Sequence, residues 1–137
     1  MEAHHNNPET DKSTILIVDD ERMARDVLEG HLMSEDYNLV LCPGGFQALE
    51  YLEKRMVDLV LLDIMMPHLD GTQVCRQIKS SERLQNIPVI LITGFSDDEL
   101  QGRARDAGAD GFLVKPIKGA NIRLVVRSML ERRSKQP

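Results

Sequence analysis

The chain has 137 residues, a length that fits one domain and excludes two domains of ordinary size. Hydrophobic residues make up 42% and charged residues 28%, which is typical of globular proteins and excludes disorder for most of the chain. The 17 Lys and Arg side chains and 22 Asp and Glu side chains give a net charge of −5, which argues against nucleic acid as a partner of this domain.

We expect neither a membrane segment nor a secretory signal in this chain. The longest apolar run, around Ile87–Ile92, is far shorter than the roughly 20 residues of a membrane helix. No charged-then-apolar leader opens the sequence, and Cys42 and Cys75 lie in apolar patterns without metal-ligand spacing. We therefore expect a cytoplasmic protein without a membrane partner, whose thiols are reduced and buried.

The first two predicted strands are short β-branched and aliphatic runs, Thr14–Val18 and Asn38–Cys42. An acidic turn ends the first strand, and a turn rich in proline and glycine ends the second. A helix follows each strand, and the second of these helices is predicted over Phe46–Arg55. The first helix carries apolar residues at helical spacing: Met23, Ala24, Val27, Leu28 and Leu32.

The third predicted strand, Leu59–Leu62, is a continuous apolar run, which is typical of a strand covered on both faces. It ends at Asp63, and a loop with proline and glycine leads to an amphipathic helix. The fourth strand, Pro88–Ile92, is also fully apolar and ends at Thr93. We therefore expect helices on both faces of these strands.

The fourth predicted helix opens with a capping box, in which Ser96 caps the helix and Glu99 reaches back. Its body is weak because Gly102 lies inside it. Few of its residues can face a core: Leu100, Ala104 and Ala107. Such a helix either shifts easily or is an ordinary, marginally stable surface helix, and the sequence leaves both interpretations open.

The last predicted strand, Gly111–Val114, ends at Lys115, and a helix with a clear apolar stripe follows. The stripe consists of Ile122, Val125, Val126, Met129 and Leu130. We expect residues 13–133 to form the domain, with a loose tail over residues 1–12. Residues 134–137 would be a second tail or the start of a linker.

Strands that alternate with helices predict an α/β fold, in which helices cover a parallel sheet on both faces. Five strands are too few for a closed eight-stranded barrel. The prediction is therefore an open, doubly wound five-stranded parallel sheet with five helices and the flavodoxin-like strand order 2-1-3-4-5.

Five polar side chains directly follow four of the predicted strands. In the predicted order the first and third strands are neighbours, so Asp19, Asp20 and Asp63 converge at one edge of the sheet. Thr93 and Lys115 follow the fourth and fifth strands on the same side. Each has an ordinary interpretation by itself, as an N-cap, a turn residue or a surface cation. Together, at matching ends of four strands, they predict a functional site.

Converging carboxylates repel one another, and a hard divalent cation such as Mg²⁺ relieves that repulsion. Mg²⁺ keeps several waters and takes few protein carboxylates, which leaves positions for a phosphoryl group. A metal ion and a lysine can balance the phosphoryl oxygens, a hydroxyl can donate a hydrogen bond to one of them, and a carboxylate can accept the group. The strand ends therefore hold what an aspartyl phosphate needs.

At these residues the sequence resembles the receiver domain of two-component response regulators, of the chemotaxis-regulator type. The motifs that carry the resemblance are Ile17-Val18-Asp19-Asp20-Glu21, Leu61-Leu62-Asp63-Ile64-Met65-Met66-Pro67, Asp70-Gly71, Thr93-Gly94, Ala107-Gly108-Ala109-Asp110-Gly111-Phe112 and Lys115-Pro116. The resemblance covers about Ser13–Arg133, nearly the whole chain, and the motifs are specific in combination.

The resemblance implies a phosphorylation-dependent signalling switch rather than a substrate-processing enzyme. Asp63 would accept a phosphoryl group from a sensor histidine kinase or a histidine phosphotransfer protein. Mg²⁺ is the implied cofactor, which Asp20 would bind directly and Asp19 largely through water. Asp63 and the backbone carbonyl of Met65 would complete the protein ligands.

The resemblance also implies how the signal leaves the site. Lys115 would pair with the phosphoryl group, Thr93 would move to donate a hydrogen bond to it, and Phe112 would swing inward behind Thr93. The bond between Lys115 and Pro116 is expected to be cis. The surface formed by the fourth helix, fifth strand and fifth helix would then control an output domain or partner protein, or form a homodimer.

Three residues near the expected phosphoacceptor are predicted to tune it. Met65 and Phe95 are bulky and apolar, and both would hinder the water that hydrolyses the acyl phosphate. Gly94 is small, so it keeps access from the kinase side open. Our hypothesis is a long-lived phosphorylated form.

Other functions use similar parts. An aspartate-nucleophile phosphatase or phosphotransferase for small molecules, similar to haloacid dehalogenases, would carry Asp-x-Asp after the first strand, whereas Asp63-Ile64-Met65 follows the third. A flavin or nucleotide carrier of the same fold needs phosphate-binding amides where this chain has an acidic turn. A receiver that has lost phosphorylation would not retain all five polar groups.

Overall fold

A computed structural model of the chain describes residues 12–95 and 97–134, except for the side chains of residues 133 and 134. Five strands alternate with five helices along the chain. The strands are β1 (Thr14–Val18), β2 (Asn38–Cys42), β3 (Leu59–Asp63), β4 (Val89–Thr93) and β5 (Gly111–Val114). The helices are α1 (Arg22–Leu32), α2 (Gly45–Lys54), α3 (Gly71–Ser80), α4 (Asp98–Asp106) and α5 (Gly119–Ser134).

The strands form one parallel sheet in the order β2-β1-β3-β4-β5, which confirms the predicted fold class. The register aligns the carboxyl ends of the central strands, because Val18 of β1 pairs with Leu62 of β3. Asp63 in turn pairs with Ile92 of β4. The side chains that follow these three strands therefore meet at one edge of the sheet.

Two apolar layers cover the sheet. One layer packs α1 and α5 on β1, β3 and β4, and its helical members include Leu28, Leu32, Ile122 and Val126. The other layer packs α2, α3 and α4 on the opposite face, and its helical members are Ala48, Leu52, Val74, Cys75, Ile78, Leu100 and Ala104. All five residues of β3 are buried, as are all five of β4, which confirms that these strands are covered on both faces.

The predicted apolar side of α1 is wider than the face that packs on the sheet. Leu28 and Leu32 are buried, but Met23 is 81% exposed and Val27 is 53% exposed. Helical spacing among the five apolar residues of α1 thus does not place all of them in the core. Cys42 and Cys75 are free and buried, as expected.

The start of α4 also differs from the prediction. The N-cap is Asp97, whose side chain accepts a hydrogen bond from the backbone N–H of Leu100 at 2.7 Å. Ser96, the predicted cap, lies outside the described residues, as do residues 1–11 and 135–137. Lys12, which the prediction placed in the loose tail, pairs with Asp36 at 3.3 Å. None of the helices in the described part of the chain is both long and apolar enough to cross a membrane.

Candidate phosphorylation site

Three aspartates meet at the carboxyl ends of β1 and β3. Asp19, Asp20 and Asp63 each offer an oxygen, and these oxygens lie within 4.8 Å of one another. Asp19 is 1% exposed and Asp63 is 6% exposed, whereas Asp20 is open to solvent. The cluster is therefore buried on one side and accessible on the other, as a ligand site requires.

Backbone and side-chain contacts fix Asp19 on several sides. Its N–H donates to the carbonyl of Cys42 at 3.2 Å, across the neighbouring strand. Its Oδ1 accepts from the N–H of Glu21 at 2.9 Å. Its carbonyl accepts from Nη1 of Arg25 at 2.8 Å. Asp19 thus holds one orientation, with Oδ2 turned toward the crevice.

Lys115, directly after β5, supplies positive charge to the cluster. Its Nζ lies 3.4 Å from Oδ2 of Asp19 and 3.6 Å from Oδ1 of Asp63. Burial lowers the pKa of Lys115, but the two carboxylates outweigh burial and raise it. Lys115 therefore stays charged. The bond from Lys115 to Pro116 is cis, as expected.

The carboxylate of Asp63 is destabilised by its surroundings. Burial, and then the charge of Asp19, raise the pKa of Asp63 to about 7. Lys115 lowers the pKa but offsets these two causes only in part. A single lysine shared between two buried carboxylates leaves negative charge uncompensated. Oxygen ligands with excess negative charge suit a hard divalent cation, so the donor set fits Mg²⁺.

The loop after β3 packs tightly against Asp63. Gly71, the first residue of α3, donates its N–H to the carbonyl of Ile64 at 2.9 Å. A Cβ at position 71 would lie 2.3 Å from the carbonyl oxygen of Asp63, so only glycine fits. Asp70 caps α3 and forms a capping box with Gln73. Our sequence analysis missed this cap, although the spacing of Asp70 and Gln73 is its usual signature.

The predicted switch residues lie on the two strands beyond β3. Thr93 is fully buried at the end of β4, and its Oγ1 accepts a hydrogen bond from the N–H of Phe95 at 3.2 Å. Phe112 on β5 pairs with Leu91 and packs, partly buried, against the layer of α2, α3 and α4. The two side chains thus sit on adjacent strands between Asp63 and α4.

The three predicted tuning residues lie on exposed loops. Met65 and Phe95 are 55% and 57% exposed, so both present apolar surface to solvent beside the site. Gly94 is also exposed, and a Cβ placed there would meet no atom within 4 Å. The structure therefore places all three beside strand ends rather than in the core.

An apolar groove of about 550 Å³ opens next to Lys115. It runs between α1 and the segment after β5, and its lining includes Glu21, Ala24, Val27, Leu28, Lys115 and Pro116. Exposed Val27 on α1 forms part of one of its walls.

One contact that sequence reasoning missed joins α4 to the site loop. Nη2 of Arg103 lies 3.2 Å from Oδ2 of Asp70 and 3.1 Å from Oγ1 of Thr72. Burial raises the pKa of Asp70, but hydrogen bonds from Thr72 and Gln73 and the charge of Arg103 outweigh burial and lower it. No local pattern signals a pair of residues this far apart in sequence.

Sequence comparisons match this arrangement to one family. A family model described as the response regulator receiver domain matches residues 15–127. The probable transcriptional regulator ycf27 of Guillardia theta is 36% identical over 124 residues, 90% of this chain and 48% of that protein. The response regulator MprA of Mycobacterium sp. (strain KMS) is 36% identical over 120 residues, 88% of this chain and 51% of that protein. The chain spans about half the length of these two relatives.

Solved structures match the fold as well. The signal receiver domain of a signal transduction histidine kinase from Syntrophus aciditrophicus has a TM-score of 0.85 and 32% identity, covering 91% of this chain and 95% of that one. A CheY-like response regulator receiver domain protein from Methanospirillum hungatei JF-1 has a TM-score of 0.85 and 25% identity, covering 92% and 99%.

Proposed function

Because the chain belongs to the response regulator receiver domain family, we propose that it is a phosphorylation-dependent signalling switch whose phosphoacceptor is Asp63. Receiver domains are signalling modules rather than substrate-processing enzymes. The observation that carries the proposal is the cluster of Asp19, Asp20 and Asp63 beside a single shared lysine, Lys115. We assign the receiver unit to residues 13–133, which contain the whole family match.

In the proposed reaction, a carboxylate oxygen of Asp63 attacks the phosphorus of a phosphohistidine. The P–N bond breaks, and the imidazole nitrogen that leaves takes up a proton. Lys115, within 3.6 Å of both buried carboxylates, would pair with a phosphoryl oxygen. When bound, Mg²⁺ would neutralise charge on the carboxylates and the phosphoryl group. Its protein ligands would be Asp19, Asp20, Asp63 and the backbone carbonyl of Met65.

The signal would leave through the side of the domain that carries α4, β5 and α5. Thr93 would turn its hydroxyl from the N–H of Phe95 toward the new phosphoryl group, and Phe112 would move inward behind it. Within α4, Leu100 and Ala104 are the buried residues, so little apolar packing opposes a shift of this helix. The shifted surface would contact an output domain, a partner protein or a second copy of the chain.

The donor would be a sensor histidine kinase or a histidine phosphotransfer protein, and the reaction would take place in the cytoplasm. The groove between α1 and the segment after β5 supports this assignment, because apolar surface lies directly beside Lys115. Exposed Val27 lines it and offers contact area to a protein that must bring its histidine to Asp63. Since the chain spans about half of its relatives' length, an output domain on a longer protein is part of this proposal.

The central test is the mass of the intact protein after incubation with Mg²⁺ and acetyl phosphate. We expect one phosphoryl adduct on the unaltered protein and none on Asp63→Asn. Asp36→Asn removes an exposed carboxylate outside the site, so this matched control should keep the adduct. An adduct that survives Asp63→Asn would contradict the proposal, and multiple turnover of acetyl phosphate analogues would favour a small-molecule phosphatase. Size-exclusion chromatography with beryllofluoride, a phosphoryl mimic, tests for the homodimer.

We further propose that Met65 and Phe95 slow hydrolysis of the aspartyl phosphate by crowding the path of the attacking water, while Gly94 keeps donor access open. Their exposed apolar side chains on both flanking loops support this. The double variant Met65→Asn, Phe95→Glu should shorten the lifetime of the adduct roughly ten-fold or more, as positioned polar groups assist proton transfer. Phe46→Glu, a change on exposed α2, is the control and should leave the lifetime unchanged. Equal lifetimes in all three proteins would refute the assignment.

A further inference from the structure

The side chain of Arg25 lies where the helix dipole disfavours it. Arg25 belongs to the first turns of α1, yet its guanidinium reaches back and donates to the carbonyl of Asp19 at 2.8 Å. The amino end of a helix carries partial positive charge, which favours anions and opposes a cation. The N-cap residue Glu21 makes no side-chain capping bond, and the first turn of α1 holds no acidic residue. The position of Arg25 therefore needs a cause other than the helix.

Arg25 donates its hydrogen bond to the peptide that joins Asp19 and Asp20, two members of the acidic cluster. The carbonyl of Asp19 belongs to the same planar peptide unit as the N–H of Asp20, so its orientation sets where the Asp20 side chain leaves the backbone relative to that of Asp19. The N–H and Oδ1 of Asp19 already have partners in Cys42 and Glu21. The bond from Arg25 fixes the remaining backbone atom, and Oδ2 then faces Lys115 at 3.4 Å.

We propose that Arg25 is a positioning residue, which holds the peptide between Asp19 and Asp20 so that both carboxylates point at one divalent cation. This inference rests on the proposed function, because it assumes that the cluster binds such a cation. Positioning and charge predict opposite changes in the affinity for the cation when Arg25 is removed. Loss of a positive charge near the carboxylates should tighten cation binding by Coulomb's law, whereas loss of positioning weakens it.

The experiment compares two arginines on the same helix. Arg25→Met removes the charge and the donor but keeps the length of the side chain. Arg22→Met removes an equal charge from an exposed residue whose side chain lies 3.8 Å from Asp26. Mn²⁺ is the probe, because it takes the same oxygen ligands as Mg²⁺ and its free concentration is measured by electron paramagnetic resonance. Binding is titrated on the full chain at fixed pH and ionic strength.

We expect Arg25→Met to weaken Mn²⁺ binding on the order of ten-fold, the scale on which outer partners of metal ligands act. Arg22→Met should bind Mn²⁺ as tightly as the unaltered protein, or slightly more tightly. Arg25→Lys keeps a donor and the charge, and should recover most of the loss. Mn²⁺ binding by Arg25→Met that equals or exceeds that of the unaltered protein would overturn the inference.

Thermal unfolding and the adduct measurement separate an unfolded variant, an absent cation site and a wrong phosphoacceptor. Thermal unfolding in the presence of a chelator shows whether each variant is folded before titration, and Arg25→Gln replaces Arg25→Met should the latter not fold. Unaltered protein that binds no Mn²⁺ would overturn this inference and the cation site together. An adduct that persists on Asp63→Asn would overturn the proposed phosphoacceptor alone, because the comparison of the Arg25 and Arg22 variants uses no phosphodonor.

Discussion

The aspartates at the two ends of the sheet differ in how the fold compensates them. At the amino end, Oδ2 of Asp58 accepts from the N–H of Thr14 at 2.7 Å. Asp110, just before β5, accepts from the N–H of Val89 at 2.8 Å and pairs with Lys79 at 2.7 Å. These carboxylates join neighbouring strands and helices, so their charge stabilises the fold.

At the carboxyl end the balance is reversed. Asp19 and Asp63 share Lys115 at the longer distances of 3.4 and 3.6 Å, and Asp20 adds a third charge. The pKa of Asp63 accordingly rises to about 7, chiefly through burial and then through Asp19. The fold thus compensates the acids at the amino end internally and leaves those at the carboxyl end partly uncompensated.

The first prediction concerns the tight backbone packing behind Asp63 at the carboxyl end of the sheet. Gly71→Ala places a Cβ 2.3 Å from the carbonyl oxygen of Asp63, and backbone on both sides cannot move without displacing β3. We expect a loss of about 3 kcal/mol or more in the free energy of unfolding, or failure to fold. Urea denaturation measures the loss.

The matched control is Gly102→Ala in the middle of α4. A Cβ there would meet no atom within 4 Å, and alanine favours a helix over glycine by up to about 1 kcal/mol. We expect this variant to be more stable than the unaltered protein. If both alanine variants changed stability equally, the tight packing behind Asp63 would have no energetic consequence.

The second prediction concerns Asp63, and its sign is the opposite of what loss of an ion pair suggests. In the folded protein the pKa of Asp63 lies near 7, against 3.8 for the free side chain. The folded state therefore pays to ionise this group, by an amount that grows from about pH 4 and is complete above about pH 7. Without divalent cations at pH 8, Asp63→Asn should stabilise the protein on the order of 1–3 kcal/mol.

The gain from Asp63→Asn should shrink as the pH falls toward 5, where the carboxyl group of the folded protein is protonated. Urea denaturation at pH 5 and pH 8 with a chelator measures both values. Addition of Mg²⁺ at pH 8 should stabilise the unaltered protein more than Asp63→Asn, since a bound ligand favours the state that binds it. A destabilised Asn variant at pH 8 would show that Lys115 compensates Asp63 fully.

The position of this site could be predicted from sequence because it depends only on strand order. Asp19 and Asp63 each follow an apolar run, and a parallel sheet in the order 2-1-3-4-5 brings those ends together. The contacts of Arg25 and Arg103 could not be predicted. Long side chains choose partners by reach in three dimensions, and neither arginine stands in a local pattern.

The exposure of Met23 and Val27 on α1 has a related cause. Periodicity marks which residues share a side of a helix, but not how much of that side the sheet covers. Met23 and Val27 share the apolar side but remain exposed, and Val27 lines the groove beside Lys115. Exposed Val27 therefore belongs to the surface on which we place the phosphodonor.

The third prediction removes an acid from the amino end. Asp110→Asn loses the ion pair with Lys79, whose side chain is 18% exposed, but can still accept from the N–H of Val89. We expect a loss of about 1 kcal/mol in the free energy of unfolding. The measurement is urea denaturation at pH 8, where Asp63→Asn should shift stability the other way. Equal signs for the two variants would remove the difference between the two ends of the sheet.

The fourth prediction concerns Asp70, which lies at the carboxyl end of the sheet and is nevertheless compensated. Its pKa is lowered by hydrogen bonds from Thr72 and Gln73 and by the charge of Arg103, which together outweigh burial. Arg103→Met breaks a partly exposed pair, so stability should fall by no more than about 0.5 kcal/mol.

The loss of this contact should instead appear locally, as faster amide hydrogen exchange in α4. Arg103 donates a hydrogen bond from α4 to Asp70 in the loop before α3. Leu100 and Ala104 supply the buried packing of α4. Arg105→Met, a change on an exposed residue of the same helix, should leave that exchange unaltered. Unchanged exchange in both variants would mean that apolar packing alone holds α4 in place. The contacts of Asp70 would then serve only to cap α3.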